Sequence, residues 1–211
     1  MTQPAIGVLD YGSGNLHSVC QGLDRAGAKA VVSGNWDELN GCVGLVLPGV
    51  GAFAACMAGL TTHRARLLDW VGQSRRLLGI CVGHQVLFDS GDEHGVVTAG
   101  LGLISGAVTQ LVATRLPHMG WDTVEAPTGS LMFDGIASQR FYFVHSYAAH
   151  ATASTLGKSC LTWGQHESDR FVAAIEAGPI WSTQFHPEKS GAPGVKLLEN
   201  WLRQVQLGNG G

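Results

Sequence analysis

Charge is scarce in this chain: Asp, Glu, Lys and Arg make up 14% of its 211 residues, and the formal net charge is −3. That balance offers no basic surface for nucleic acid and no strongly acidic one. A disulfide framework is also missing. The five cysteines, Cys20, Cys42, Cys56, Cys81 and Cys160, are odd in number, widely spaced and never arranged as Cys-x-x-Cys. Such usage argues against a stapled secreted scaffold and a structural zinc site. No apolar run approaches membrane-spanning length, and Met1-Thr2-Gln3-Pro4-Ala5 lacks the basic region and apolar core of a secretion signal. The expectation is a reduced, cytoplasmic protein with no membrane or nucleic-acid partner. Nothing calls for a metal or a cofactor.

Hydrophobic residues, at 45%, are plentiful, and so are glycines, at thirty. The length suits one domain with a core that needs no disulfide or metal. Without repeat or linker, that domain is expected over residues 1–207, with 208–211 a flexible tail. Ile6-Gly7-Val8-Leu9, Ala30-Val31-Val32 and Val43-Gly44-Leu45-Val46-Leu47 read as buried strands. Helical spacing of Leu16, Val19, Cys20 and Leu23, and of Leu67, Leu68 and Val71, falls between strands. Such alternation indicates a parallel sheet covered on both faces, with ligands beyond the carboxyl ends of its strands. After Phe88 the pattern turns to strand candidates: Leu101 to Val112, then the runs starting at Trp121, Arg140, Phe171 and Ile180. The fold class is therefore α/β, a parallel-core sheet flanked by helices with an antiparallel extension in the second half. A last helix places Val195, Leu198, Trp201, Leu202 and Val205 on one face.

Gly79-Ile80-Cys81-Val82-Gly83 ends one of these apolar runs, and a helix-like pattern follows it to Phe88. This is a Gly-x-Cys-x-Gly version of the nucleophile elbow, a sharp strand-to-helix turn that holds a reactive side chain clear of the sheet. The amides opening the next helix would favour thiolate at Cys81. A base is supplied by His186-Pro187-Glu188. Pro187 disfavours helix at His186, so His186 is held extended, and Glu188 two residues on projects to the same side. Glu188 would then orient one imidazole nitrogen while the other faces Cys81, giving nucleophile, base and orienter. Taken singly, the elbow also describes a packed core cysteine and the triplet a surface turn. A glycine loop, Pro48-Gly49-Val50-Gly51-Ala52-Phe53, ends another strand with open backbone amides. Among the other histidines, His84 reads as packing or a hydrogen bond to a neighbouring loop. His145 reads either as a bonded core-edge residue or as lining a site.

The opening Asp10-Tyr11-Gly12-Ser13-Gly14-Asn15-Leu16, the 48–53 loop, the elbow, Pro117-His118-Met119-Gly120-Trp121, Tyr142-Phe143-Val144-His145-Ser146-Tyr147 and Gln184-Phe185-His186-Pro187-Glu188-Lys189-Ser190-Gly191 run nearly end to end. Together they resemble the class I, triad-type glutamine amidotransferases, and among these the glutaminase subunits of imidazole glycerol phosphate synthase. Two positions depart from that pattern. Gly83-His84-Gln85 stands where these subunits usually carry Gly-Met-Gln, and Asp122 where they usually carry Asn.

The resemblance implies hydrolysis of L-glutamine to glutamate and ammonia by Cys81, His186 and Glu188. Backbone amides of Gly49, Val50, Gly51 and Val82 are the candidates to stabilise the oxyanion. Gln85, His145, Ser146 and Tyr147 match positions that hold the substrate's amino and carboxylate groups. The implied partner is a (βα)₈-barrel cyclase subunit forming a heterodimer, with Trp121, Tyr147 and Lys189 as interface candidates, although Trp121 reads nearly as well as core. It also implies a resting 48–53 loop that turns an amide away from the oxyanion until partner and ligand are bound. Three rivals stand beside this reading: the same chemistry serving pyridoxal phosphate or aminodeoxychorismate synthesis, a non-catalytic scaffold subunit, and a redox-sensing cysteine domain.

Overall fold

The computed structural model describes residues 3–150 and 160–208. The first half alternates strand and helix: β1 (Ala5–Leu9), α1 (Leu16–Arg25), β2 (Lys29–Ser33), α2 (Trp36–Leu39), β3 (Gly44–Gly49), α3 (Phe53–Leu60), α4 (Arg64–Gly72), β4 (Arg76–Cys81) and the single turn α5 (Val82–Gln85). The second half is mostly strand: β5 (Phe88–Glu93), β6 (Val96–Ala99), β7 (Ile104–Gln110), β8 (His118–Thr123), β9 (Arg140–His145), β10 (Tyr147–His150), β11 (Cys160–His166), β12 (Asp169–Ala177) and β13 (Ile180–Thr183). A 3₁₀ turn, Pro187–Lys189, and α6 (Gly191–Gly208) close the chain.

Seven strands form the main sheet in the order β11-β12-β13-β4-β3-β1-β2. β2, β1, β3, β4 and β13 run parallel, while β12 and β11 continue antiparallel. The expected parallel core and antiparallel extension are both present. β3 and β13 are buried along their whole length, as befits strands covered on two faces. β4 lies between them, so three carboxyl ends come side by side: the start of the 48–53 loop, Cys81, and the segment leading to His186. Gly49 pairs in register with Cys81 itself. Beside this sheet lie a four-stranded sheet, β10-β7-β5-β6, and the two-stranded β8-β9 hairpin.

Sequence and structure part in several places. The helical pattern expected to reach Phe88 stops at Gln85, and Phe88 opens β5. Val86, Leu87 and Phe88 are all fully buried, and an apolar run buried all round has no periodicity to distinguish helix from strand. In α4 the buried face is Leu67 and Trp70 rather than the Leu67, Leu68 and Val71 stripe. Trp70 reaches inward because its indole N–H finds the Arg76 carbonyl at 3.2 Å. α6 buries Leu197, Leu198, Trp201, Leu202 and Val205, with Val195 only half-buried. Gly208 is the last residue of α6 rather than the first of a tail, and residues 209–211 lie outside the described residues. Among the described residues, no helix is long and apolar enough to cross a membrane.

Candidate active site

The turn at Cys81 is strained and closely packed. Cys81 has φ 56° and ψ −114°, a combination that non-glycine residues rarely adopt and that costs on the order of 1–3 kcal/mol. Its glycine neighbours are required by contact distances. A Cβ at Gly83 would lie 1.9 Å from the Leu47 carbonyl oxygen, and one at Gly79 would lie 2.7 Å from that of Gly83. A Cβ at Gly49 would lie 2.4 Å from the Gly83 nitrogen, so the turn rests directly on β3. Gly83→Ala is therefore expected to destabilise by about 3 kcal/mol or more, lowering the melting temperature by roughly 6–12 °C in thermal unfolding. A variant melting within about 2 °C of wild type would show that β3 yields to the extra methyl.

His186 is extended, with φ −98° and ψ 97°, and Pro187 begins the 3₁₀ turn that brings Glu188 round. His186 Nδ1 lies 2.7 Å from Glu188 Oε1, and the two side chains are 3% and 1% exposed. The carboxylate accepts from Nδ1–H, which leaves Nε2 for Cys81. The turn is tied down from two sides. Ser190 Oγ donates to the His186 carbonyl at 2.6 Å and accepts the Tyr142 N–H at 2.9 Å. On the other side α1 packs so closely that a Cβ at Gly22 would meet Glu188 Cβ at 2.9 Å. Burial alone would depress the imidazole pKa, but hydrogen bonds with Cys81 and Glu188 outweigh it and raise His186 to about 9.

Cys81 and His186 line a cleft of about 240 Å³ together with Val50, Gly51, Val82, Gln85, Glu93, Lys189 and the 144–147 segment. Val82 opens α5, whose first amides have no partner within the helix, and Cys81 supplies no side-chain cap. Val50 is differently placed. Its N–H donates to Ser13 Oγ at 3.2 Å, and that hydroxyl donates back to the Val50 carbonyl at 2.8 Å. The Cys56 thiol also approaches this carbonyl, at 3.5 Å, and Tyr11 Oη donates to the Pro48 carbonyl at 2.5 Å. Asn15 caps α1, so Ser13 is left to hold the loop. In this conformation the Val50 amide is occupied and does not face a developing oxyanion.

A strained cysteine at a strand end, a buried His–Glu pair just past the end of the neighbouring strand and a glycine loop opposite are the parts of a thiol acyl-transfer site. The family model described as "Glutamine amidotransferase class-I" matches residues 7–205. The chain belongs to this family. Among its relatives, "Imidazole glycerol phosphate synthase subunit HisH" of Corynebacterium glutamicum is 50% identical over 214 residues, covering 95% of this chain and 98% of the relative. The protein of the same description from Nocardia farcinica is 51% identical over 211 residues, covering 96% and 99%. Solved structures share the fold at low identity. PurLQS from Thermotoga maritima superposes with a TM-score of 0.75 at 17% identity, covering 97% of this chain and 100% of that one.

In this class I amidotransferase all the residues singled out for substrate line the cleft, though not all are free. Gln85 Nε2 already donates to the Tyr147 carbonyl at 2.8 Å and to Gln184 Oε1 at 2.9 Å. Gln184 Nε2 in turn lies 3.9 Å from Cys81 Sγ. His145 is buried, with Nδ1 2.9 Å from the Tyr147 carbonyl, so it is tied to the wall that it helps to line. Ser146 and Tyr147 face the cleft. Glu93 was not foreseen. It lines the cleft from β5 while its Oε2 accepts the Phe53 N–H at 2.9 Å. Only the charged Glu93-His94-Gly95 turn marks it in the sequence, and that pattern says nothing of a ligand. Trp121 is 51% exposed, which removes its reading as core, and Lys189 lies at the cleft.

His84 bonds not to a neighbouring loop but to Ser182 Oγ of β13, at 2.8 Å and 98 residues away. Burial pushes its pKa down from 6.5 to about 3, against the opposing effect of the Val172 backbone. Because the folded value is depressed, stability from neutral His84 is complete above pH 6.5 and is lost as pH falls toward 3. His84→Met removes this group. Its unfolding free energy in urea should fall less steeply with acid than that of wild type, by up to roughly 1.4 kcal/mol per pH unit. Parallel curves would show that His84 does not take part.

Proposed function

We propose that the chain hydrolyses L-glutamine to glutamate and ammonia and passes the ammonia to a separate (βα)₈-barrel cyclase subunit. That partner forms imidazole glycerol phosphate and an aminoimidazole carboxamide ribonucleotide in histidine biosynthesis. The observation that carries the chemistry is the buried 2.7 Å His186–Glu188 pair beside Cys81 at a cleft. The choice of acceptor is supported by relatives about half identical over nearly the whole chain.

Cys81 attacks the side-chain amide carbon, and His186 takes the thiol proton and returns it to the leaving ammonia. Water, deprotonated by the same imidazole, then cleaves the γ-glutamyl thioester. Glu188 holds the imidazole and balances its charge. The Val82 amide receives the oxyanion from one side; Gly49, Val50 or Gly51 supplies the second donor. Glu93 is the only carboxylate among the described residues that line the cleft and suits the substrate's ammonium. A protein partner is supported by exposed Met119 and Trp121 on β8. The Trp121 ring lies so near Gly191, at the start of α6 just past the triad's turn, that a Cβ added there would be 3.9 Å from it.

Ammonia release from glutamine, measured with and without a barrel cyclase and its ligand, tests the assignment. Release that is weak alone and strong in the complex supports it; equal turnover, or no release in either, overturns it. The Ser13 bond to Val50 makes a sharper prediction. Ser13→Ala frees the Val50 amide and should raise partner-free turnover by about 2- to 10-fold, the weight of one net hydrogen bond. An unchanged or lower rate would show that Ser13 does not restrain the loop.

A further inference from the structure

A pair of histidines that the chemistry above does not use joins the cleft to the β8 strand: His145 lines the cleft, and His118 lies behind it. His118, on β8, is 5% exposed and stacks against both Phe143 and His166, with ring centroids at 4.8 and 4.4 Å. Its Nδ1 lies 3.1 Å from His145 Nε2, and its Nε2 lies 3.4 Å from Asp122 Oδ2. His145 Nδ1 meets the Tyr147 carbonyl that also accepts from Gln85, and Gln85 leads through Gln184 to Cys81. Polar contacts thus run without a break from Asp122, whose side chain is 46% exposed, to the sulfur.

Counting protons along the pair shows what it needs. Both of its ends meet pure acceptors, a carboxylate and a peptide carbonyl. Filling every contact takes one N–H for each end and one between the rings, while two neutral imidazoles carry only one N–H apiece. A neutral pair therefore leaves one contact without a hydrogen. The longest, at Asp122, is the one left open. A single added proton closes it.

We propose that His118 and Asp122 are positioning residues for the glutamine pocket. His118 donates to His145 and so holds the His145 Nδ1–H on the Tyr147 carbonyl. Asp122 makes the firmness of that brace depend on one proton shared by the two rings. The inference rests on the cleft being the glutamine site. The titratable groups facing the pair are Asp122 from β8 itself, His166 from β11, and His84 from α5 beside His145. Burial first, and His166 second, push His118 down against the pull of Asp122. Burial, against the raising effect of the Tyr147 carbonyl and aided by His118, His166 and His84, pushes His145 down to about 3. Proton uptake therefore falls on the acid side of neutrality. An asparagine at 122 would donate to a neutral His118 and close the brace at every pH.

The test compares kcat and KM for glutamine from about pH 5.5 to 8.5 in wild type, D122N, H118F and H118N, each with the cyclase partner, alongside ¹⁵N-histidine spectra. In wild type, KM should rise by about 2- to 10-fold toward the alkaline end, while D122N stays at the low value throughout. H118F keeps the ring stack but not the bond to His145, so KM should rise about tenfold with kcat within about twofold. H118N, whose amide sits near the Nδ1 position, should restore KM to within about threefold. The spectra should show His145 protonated at Nδ1 in wild type and D122N, and in mixed tautomers in H118F. Matching pH profiles for wild type and D122N, or an unchanged His145 tautomer in H118F, would overturn the proposal. Absence of ammonia release from wild type would sink the glutaminase reading instead, and the tautomer spectra would then decide this one alone.

Discussion

Cys81→Ala is expected to abolish ammonia release from glutamine, with turnover falling by at least about 10⁴-fold. The expectation follows from the covalent step, since without sulfur there is no thioester and the imidazole has no thiol to deprotonate. Other thiols are poor substitutes. Burial pushes Cys20, Cys42 and Cys56 up and keeps them protonated. Alanine meets the same backbone strain at φ 56° as cysteine does, so the fold should persist and glutamine should still bind. Two measurements check this: the rate of ammonia release, and the mass added by an electrophilic glutamine analogue. Wild type should gain one adduct, at Cys81, and the variant none. Release within about tenfold of wild type would remove Cys81 from the mechanism.

Glu188→Gln should lower kcat by on the order of 10³–10⁴ while leaving KM nearly unchanged. The replacement keeps the shape and an oxygen for Nδ1–H, so the loss reports charge and tautomer rather than packing. Glu188 Oε2 has no hydrogen-bond partner among the described residues, so imidazolium is the main compensation for that buried charge. Without the carboxylate the His186 pKa should drop from about 9, and the alkaline limb of kcat should move to lower pH. Stability follows the same sign. A folded pKa raised above 6.5 gives stabilisation that is complete below that value and lost as pH rises through about 9, and the variant, which keeps only the Cys81 contact, should show a shallower slope. A kcat within about tenfold and an unmoved alkaline limb would leave Glu188 without its assigned part.

The sequence was most legible where glycine and proline leave little conformational choice. The Cys81 turn, the 48–53 loop and His186-Pro187-Glu188 each announce themselves locally, and the parallel core follows from apolar runs separated by helices. Less was readable where partners lie far apart in sequence. Ser13 meets Val50 across 37 positions, Glu93 meets Phe53 across 40, and His84 meets Ser182 across 98. No local signal carries such pairings, because they are settled by how the sheets stack. The fully buried 86–88 run failed for another reason: burial on every side erases the periodicity that marks helix from strand.

The place of β4 at the centre of the sheet also bears on how the chain is made. One of its edges is closed early by β3, but the other waits for β13, with Leu77 paired to Ile180. At synthesis rates of about 5–20 residues per second, the intervening stretch takes roughly 5–20 seconds to emerge. Through that interval a nascent chain displays an open, apolar strand edge, the kind that pairs with strangers. Ribosome-released fragments ending before β13 should therefore aggregate, and helper proteins that shield nascent strands should raise the yield of soluble enzyme.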